Sequence, residues 1–206
     1  MNQAEKSQRS KERILEAALG LFSSQGYRAT SVRDIAEAAG VSTGNVYHHF
    51  PDKETLFLTL LDQYWSAIED PELPFNKALG VGTFPDNIEE LGHASRQLVD
   101  GYRRYIALIY VDVVELEGNH IRKFYADMAK RYADFLDSHD GGKTIAAHLR
   151  PGISPVSAVM FATRFFLNYF AVEILFGVPN HFGKDTEAVI KETAEILRHG
   201  MLRPTT

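Results

Sequence analysis

The chain contains no cysteine, which excludes disulfide bridges, thiolate metal sites and cysteine nucleophiles. A chain without cysteine suits a reducing compartment, so we expect a cytoplasmic protein. Its polar start, MNQAEKSQRSKER, lacks the apolar segment of a secretory signal. Sustained period-two alternation is also missing, and the apolar residues instead recur at three- and four-residue spacing. We therefore expect an all-α globular protein.

Enzyme motifs are scarce. The sequence has no HExxH and no GxGxxG. Residues 142–144 (GKT) resemble the end of a phosphate-binding loop, but Asp137 stands where its first glycine belongs, and no strand precedes it. Asp112 and Glu115 are spaced like an acid–base pair, although a charged helix face or a structural hydrogen-bonding site is the favoured interpretation. We expect no enzymatic activity and no cofactor.

One segment, residues 156–178, is long and apolar enough to cross a bilayer. Arg164, Asn168 and Glu173 interrupt it, and charges deep in hydrocarbon are costly. We expect a helix buried against protein on most of its surface, with no membrane partner.

The net charge of −5 does not suggest a nucleic-acid partner by itself. Residues 1–55 contain seven basic and seven acidic side chains, counted from the sequence, so this segment is neutral. The remaining 15 basic and 20 acidic side chains account for the whole deficit. This asymmetry is only weakly consistent with DNA binding at the N-terminus.

Three short helices are predicted in the first fifty residues. An apolar stripe within residues 10–25 predicts a first helix that Gly26 ends. Ser31 is a suitable N-cap for a second helix, which ends at Gly40. Ser42 then caps a third helix over residues 43–50. A helix, a tight glycine turn and another short helix indicate a helix-turn-helix, although three small helices of a soluble bundle would show the same spacing.

The third helix has the side chains that a DNA-recognition helix needs. Val46 and Phe50, four residues apart, are expected to face inward. Its exposed positions are small or polar, which allows close approach to base edges in the major groove; they are Thr43, Gly44, Asn45 and His48. Potential phosphate donors flank it: Arg28, Thr30, Tyr47 and Lys53.

Residues 11–56 resemble the N-terminal domain of the tetracycline-repressor (TetR/AcrR) family. The similar run is ILEAALGLFSSQGYRATSVRDIAEAAGVSTGNVYHHFPDKETLF. It includes the family's G-[YF]-x-x-[TA]-[TS] turn, its D-I-A-x-x-A-G-V helix and its Y-x-[HY]-F-x-[DNS]-K-x-x-L junction. The resemblance covers under a quarter of the chain.

The resemblance implies a role for several side chains. Those implied at base edges are Thr43, Gly44, Asn45 and His49, with Arg33 from the second helix. Those implied at phosphates are Thr30, Tyr47 and Lys53. A metal bound by the adjacent His48 and His49 is not expected, because neighbouring residues on a helix point about 100° apart.

The remainder predicts a larger helical bundle. A fourth helix should begin at residue 52 and end near residue 68, followed by a loop over residues 69–84 that prolines and glycines keep non-helical. One helix is expected to start near residue 86 and another at residue 102. A long amphipathic helix should follow from residue 119 or 120 through residue 136. Helices over residues 154–176 and 185–199 complete about nine helices in all.

These patterns predict two domains, a helix-turn-helix domain over residues 1–51 and a ligand-binding and dimerisation domain over residues 52–206. The resemblance implies a homodimer that forms through the last two long helices. An aromatic-rich interior suggests an apolar or planar effector, although the same side chains would fill a dry core. The candidate effector residues are Tyr105, Tyr110, Phe165, Phe166 and Tyr169.

The predicted function is a sequence-specific transcriptional regulator, a repressor that a small molecule releases from double-stranded operator DNA. Two alternatives remain open. One is a DNA-binding regulator without an effector, and the other is an all-α ligand carrier or enzyme. Binding to operator DNA separates the regulators from the carrier or enzyme.

Overall fold

The structure, a computed structural model, describes residues 2–80, 84–138 and 141–201. These residues are helical and contain no β-strand, as the sequence predicted. They form twelve helices where about nine were expected: α1 (Gln3–Gln25), α2 (Val32–Ala39), α3 (Thr43–His49), α4 (Lys53–Ile68), α5 (Pro74–Gly80), α6 (Ile88–Gly101), α7 (Arg103–Glu115), α8 (Arg122–Ala126), α9 (Met128–Ser138), α10 (Gly141–His148), α11 (Pro155–Ile174) and α12 (Thr186–Met201).

Three differences explain the additional helices. The predicted loop over residues 69–84 contains α5, because Pro74 stands in the first turn, where a missing N–H costs nothing. Residues 81–83 of that loop lie outside the described residues. The long helix expected from residue 119 or 120 is interrupted at Asp127 and forms α8 and α9. The segment that resembled a phosphate loop lies in α10.

Helix α1 begins seven residues before the predicted start at residue 10. Asn2 and Glu5 form a capping box, in which the Glu5 N–H donates to Asn2 Oδ1 at 2.8 Å and the Asn2 N–H donates to Glu5 Oε2 at 2.9 Å. The first two turns are polar and carry no apolar stripe, so periodicity alone could not detect them.

The first compact unit comprises residues 1–68 and 104–123. Its core includes apolar side chains from α1, α2, α3, α4 and α7. Phe22, Tyr27 and Phe57 contact one another with ring centroids 5.4 to 5.5 Å apart. Helix α4 and most of α7 therefore belong to the same packed unit as the first three helices. The functional division at residues 51 and 52 stays a prediction.

The second compact unit comprises residues 69–103 and 124–206. Helix α6 packs against α5, α11 and α12, and α9 packs against α10 and α11. Gly92 permits this packing, because a Cβ there would lie 3.0 Å from Ile190 Cγ2 and 3.1 Å from the Phe166 ring. Small residues at such a point let helix backbones approach closely.

Helix α11 is the apolar segment that the sequence placed inside the protein. Within the described residues, it alone is long and apolar enough to span a membrane. It buries side chains such as Phe166 and Phe170 in its own unit, while Phe161 remains 61% exposed. One face of α11 is thus covered within the chain and another is open.

Candidate DNA-binding surface

Helices α2 and α3 are joined by a tight turn that local hydrogen bonds define. Ser31 and Asp34 form a capping box at the start of α2, and the hydrogen bonds from Ser31 lower the pKa of Asp34. Gly40 ends α2 in the left-handed conformation, with φ +63°. Ser42 Oγ then accepts from the Asn45 N–H at 3.1 Å and begins α3. The predicted helix-turn-helix is confirmed.

Helix α3 presents one polar face to solvent. Val46 and Phe50 are 1% and 3% exposed, as their spacing predicted. Thr43, Gly44 and His48 are exposed, and Tyr47 is 52% exposed. A Cβ added at Gly44 would meet nothing nearer than Ser42 Oγ at 3.9 Å, so open space adjoins this backbone. The face is therefore small, polar and accessible to a bulky partner.

Asn45 is half-buried beside α1 rather than fully exposed. Ser10 Oγ donates to Asn45 Oδ1 at 2.5 Å, so the amide group of Asn45 is held from α1. Ser10 was not among the residues that the sequence indicated, because contacts between residues 35 positions apart leave no local signal. Its position gives α1 an influence on the orientation of Asn45.

His48 and His49 have different surroundings. His48 is exposed, whereas His49 is half-buried and its Nε2 is buried without a hydrogen-bond partner in the described structure. Burial, together with the nearby His48 and Lys11, lowers the pKa of His49. His49 is therefore neutral near pH 7, and its role at a base edge stays a prediction.

Two of the three side chains implied at phosphates make hydrogen bonds inside the protein. Thr30 is 1% exposed, and its Oγ1 donates to the Gly26 carbonyl at 2.7 Å. Lys53 Nζ donates to the carbonyls of Tyr27 and Thr30, at 2.8 Å each, and lies 4.1 Å from the Tyr27 ring centroid. Burial lowers the pKa of Lys53. These side chains hold the turn before α2, and their proposed phosphate contacts remain predictions.

The same turn is also tied to the end of α7. The Arg28 N–H donates to Glu115 Oε2 at 2.6 Å, and its guanidinium donates to the Glu115 carbonyl at 2.8 Å. The carboxylate of Glu115 lies where a Cβ of residue 26 would stand, and Gly26 has φ +88°, a backbone conformation that favours glycine. Arg28 is thus engaged by α7, while Arg33 on α2 is exposed.

A second contact links α4 with the segment after α7. Asp112 is fully buried and accepts from His120 Nδ1 at 2.5 Å, and His120 Nε2 lies 3.2 Å from Glu54 Oε1. The backbone N–H groups of His120 and Ile121 also donate to Asp112. Burial alone would lower the pKa of His120, but hydrogen bonds to Asp112 and Glu54 raise it. Asp112 is a structural hydrogen-bond acceptor, as the sequence analysis favoured.

Most of the residues that form this surface lie in a segment that matches the model of a known family. Residues 14–60 match the family model described as "Bacterial regulatory proteins, tetR family". The HTH-type transcriptional repressor KstR2 of Mycolicibacterium smegmatis is 32% identical over 129 residues, which are 57% of this chain and 62% of that protein. The regulator AcrR of Shigella flexneri is 42% identical over 71 residues, 34% of this chain and 33% of that protein. Over residues 14–60, this chain is similar to the TetR family of bacterial regulatory proteins.

Solved structures show that the fold of this chain is shared over nearly its whole length. NalD of Pseudomonas aeruginosa, described as the secondary repressor of the MexAB-OprM multidrug efflux pump, has a TM-score of 0.65 at 21% identity, covering 97% of this chain and all of that one. KstR2 of Mycobacterium tuberculosis has a TM-score of 0.55 at 22% identity, covering 94% of this chain and 95% of that one. The aligned sequence, however, spans only 62% of the length of the M. smegmatis relative.

The five candidate effector residues fall in both units. Tyr105 stacks on Tyr64 in the first unit, with centroids 5.9 Å apart, and Tyr110 is 39% exposed. In the second unit, Phe166 is fully buried, and Tyr169 is 2% exposed. Phe165 contacts both of their rings. Phe166 packs as core against Gly92, and the effector role of all five residues stays a prediction.

Proposed function

We propose that this chain is a sequence-specific DNA-binding transcriptional regulator that represses by occupying operator DNA. The exposed face of α3 is the observation that carries this proposal, because it is small, polar and open beside Gly44. A helix with this surface fits the major groove and places its N-terminal residues at base edges. The match of residues 14–60 to a family model of bacterial regulatory proteins supports a regulator over an enzyme. A cytoplasmic location follows from this role.

The proposed assembly is a homodimer. One short helix contacts too few bases for a genomic search, whereas two half-sites roughly double the discrimination. Apolar side chains on α11, α12 and the segment between them are exposed in the single chain: Phe161 61%, Phe176 57%, Val178 46%, Phe182 51% and Ile196 64%. Apolar surface of this kind is typical of a protein interface. It supports pairing through the last two long helices.

The proposed regulation is release from DNA by a small apolar or aromatic molecule. KstR2 of M. tuberculosis is described as a ketosteroid transcriptional regulator, and another structural neighbour, FadR of Bacillus halodurans, as a fatty acid degradation regulator. The aromatic side chains of α11 offer similar apolar chemistry. A constitutive regulator remains the second candidate, because buried rings such as Phe166 also serve as ordinary core.

Selection of random duplexes with the purified full-length chain tests DNA recognition. We expect enrichment of a two-fold related motif with half-sites roughly 34–36 Å apart, or a multiple of that distance. Failure to enrich such a motif would overturn the sequence-specific regulator and favour the carrier or enzyme.

Reciprocal titration tests the effector. A compound found by thermal shift should bind the free protein more tightly than the operator complex by about 5–150-fold, and operator affinity should fall by the same factor when the compound is present. Equal affinity of the compound for both states would show that it is not an effector and would favour constitutive regulation.

A further inference from the structure

A groove of about 460 Å³ lies between the start of α1 and the side of the recognition helix α3. One wall consists of α1 residues, and the other consists of Asn45, His48 and His49 on α3. The hydrogen bond from Ser10 to Asn45, 2.5 Å long, joins the two walls. The groove therefore adjoins the surface proposed to contact bases.

Cations and neutral polar groups line this groove. The residues are Gln3, Lys6, Ser7, Arg9, Ser10, Arg13, Asn45, His48 and His49, and no carboxylate is among them. Lys6, Arg9 and Arg13 follow one another at three and four residues, so they share one face of α1. Such a face attracts an anion.

The available charge is concentrated on two of these residues. Lys6, Arg9 and Arg13 are all exposed, but Arg13 already donates to the Gly40 carbonyl at 3.2 Å. Arg9 also borders a second groove that contains Glu12 and Glu16, but it forms no ion pair with either in the described structure. Lys6 and Arg9 thus retain donors for a partner.

We propose that this groove, the α1–α3 groove, binds a phosphodiester of the operator backbone through Lys6 and Arg9. This inference rests on the proposed function. A duplex contacted by α3 brings its backbone alongside the recognition helix, and phosphate contacts set the position of the protein on DNA. Thr30 and Lys53 use their side-chain hydrogen bonds within the turn before α2. The α1–α3 groove supplies two further phosphate donors beside those predicted in the turn.

The salt dependence of DNA binding tests the proposal. The probes are a fluorescent duplex of random sequence and the operator obtained by selection, with anisotropy measured from about 50 to about 200 mM salt. The Lys6→Gln/Arg9→Gln protein should bind both duplexes more weakly, and its log–log salt slope should be shallower by roughly 0.9 per bound protomer, the value for one neutralised phosphate.

Matched variants separate charge in the groove from general effects. Lys130→Gln/Lys143→Gln removes two exposed charges from the second unit and should leave the slope unchanged. Lys6→Arg/Arg9→Lys keeps both charges and should retain the slope. Ser7→Glu adds a carboxylate at an exposed position that lines the groove and should weaken binding to both duplexes. All four proteins should show the circular dichroism and melting temperature of the wild type.

The outcomes distinguish the two proposals. A wild type that binds no duplex overturns the proposed function. If the wild type binds DNA and Lys6→Gln/Arg9→Gln has the same affinity and salt slope as the Lys130→Gln/Lys143→Gln control, only the proposal about the α1–α3 groove is overturned. If Lys6→Gln/Arg9→Gln weakens binding to the operator but not to random duplex, the two side chains contact bases, and the phosphate assignment is wrong.

Discussion

The buried pair of Asp112 and His120 should make the stability of the first unit depend on pH. His120 is held by Asp112 Oδ1 at 2.5 Å and by Glu54 Oε1 at 3.2 Å, and these contacts raise its pKa despite burial. A group whose pKa is raised on folding stabilises the folded state fully below its unfolded pKa of about 6.5. That stabilisation is lost as pH rises through the raised pKa. His120→Asn removes the titration.

The size of this effect on the free energy of unfolding follows from the burial of the pair. Asp112 is fully buried and His120 has 12% of its side chain exposed, so the pair is largely shielded from water. Removing one partner of such a pair costs about 3–5 kcal/mol when the other charge is left buried, and the remaining contact of His120 with Glu54 Oε1 places the loss of Asp112 at the lower end of that range. Asp112→Ala should therefore lower the free energy of unfolding by about this amount below pH 6.5. The substitution also removes the carboxylate that accepts hydrogen bonds from the backbone N–H groups of His120 and Ile121. The whole free energy of unfolding of a native protein is only about 5–15 kcal/mol, so such a loss is a large fraction of it.

Urea unfolding of wild type and His120→Asn across about pH 5.5 to 8.5 measures this effect. The free energy of unfolding of the wild type should exceed that of the variant most at low pH, and the difference should shrink as pH rises. A difference that stays constant across the range would refute the account of this pair. The Asp112→Asn protein provides the control of similar shape without the carboxylate charge.

The remaining predictions concern DNA, the turn and the dimer. Tyr47→Phe should weaken binding to all duplexes about tenfold, the cost of one hydrogen bond to a charged phosphate, whereas Asn45→Ala should change which sequence selection enriches. Lys53→Met should lower the free energy of unfolding by about 2 kcal/mol in urea titration, because two carbonyls lose their charged donor. Phe161→Glu should yield a monomer in sedimentation, because Phe161 is 61% exposed in the single chain and a charge there would lie in the proposed interface. Phe166 is unsuitable for this test, because it is fully buried and its replacement would disrupt the fold.

Local sequence signals predicted the helix-turn-helix well. The caps Ser31 and Ser42 and the glycine turn at Gly40 act over three or four residues, so the sequence shows them directly. Helix α2 has the bounds implied by Ser31 and Gly40, and α3 ends one residue before the predicted position. The apolar positions Val46 and Phe50 are buried as predicted.

Long-range contacts account for what the sequence did not reveal. Ser10 reaches Asn45 across 35 positions, and Arg28 reaches Glu115 across 87. No periodic pattern reports such pairs. Lys53 matched a family motif, but a motif does not show whether its ammonium faces DNA or the carbonyls of its own turn. Pro74 shows a further limit of prediction from sequence, because a proline can either end a helix or begin one. In this chain Pro74 begins α5.

The operator affinity of Gly44→Ala tests the central claim most directly, namely that the open face of α3 contacts bases. A methyl group at residue 44 meets only Ser42 Oγ, at 3.9 Å, and alanine favours helix over glycine by at most about 1 kcal/mol, so the melting temperature should not fall. On DNA, the same methyl group would occupy the space needed for a base edge. We predict a loss of operator affinity of at least about tenfold, equivalent to about 1.4 kcal/mol, with binding to random duplex little changed. Unchanged operator affinity in this folded variant would contradict the claim that α3 is the recognition helix.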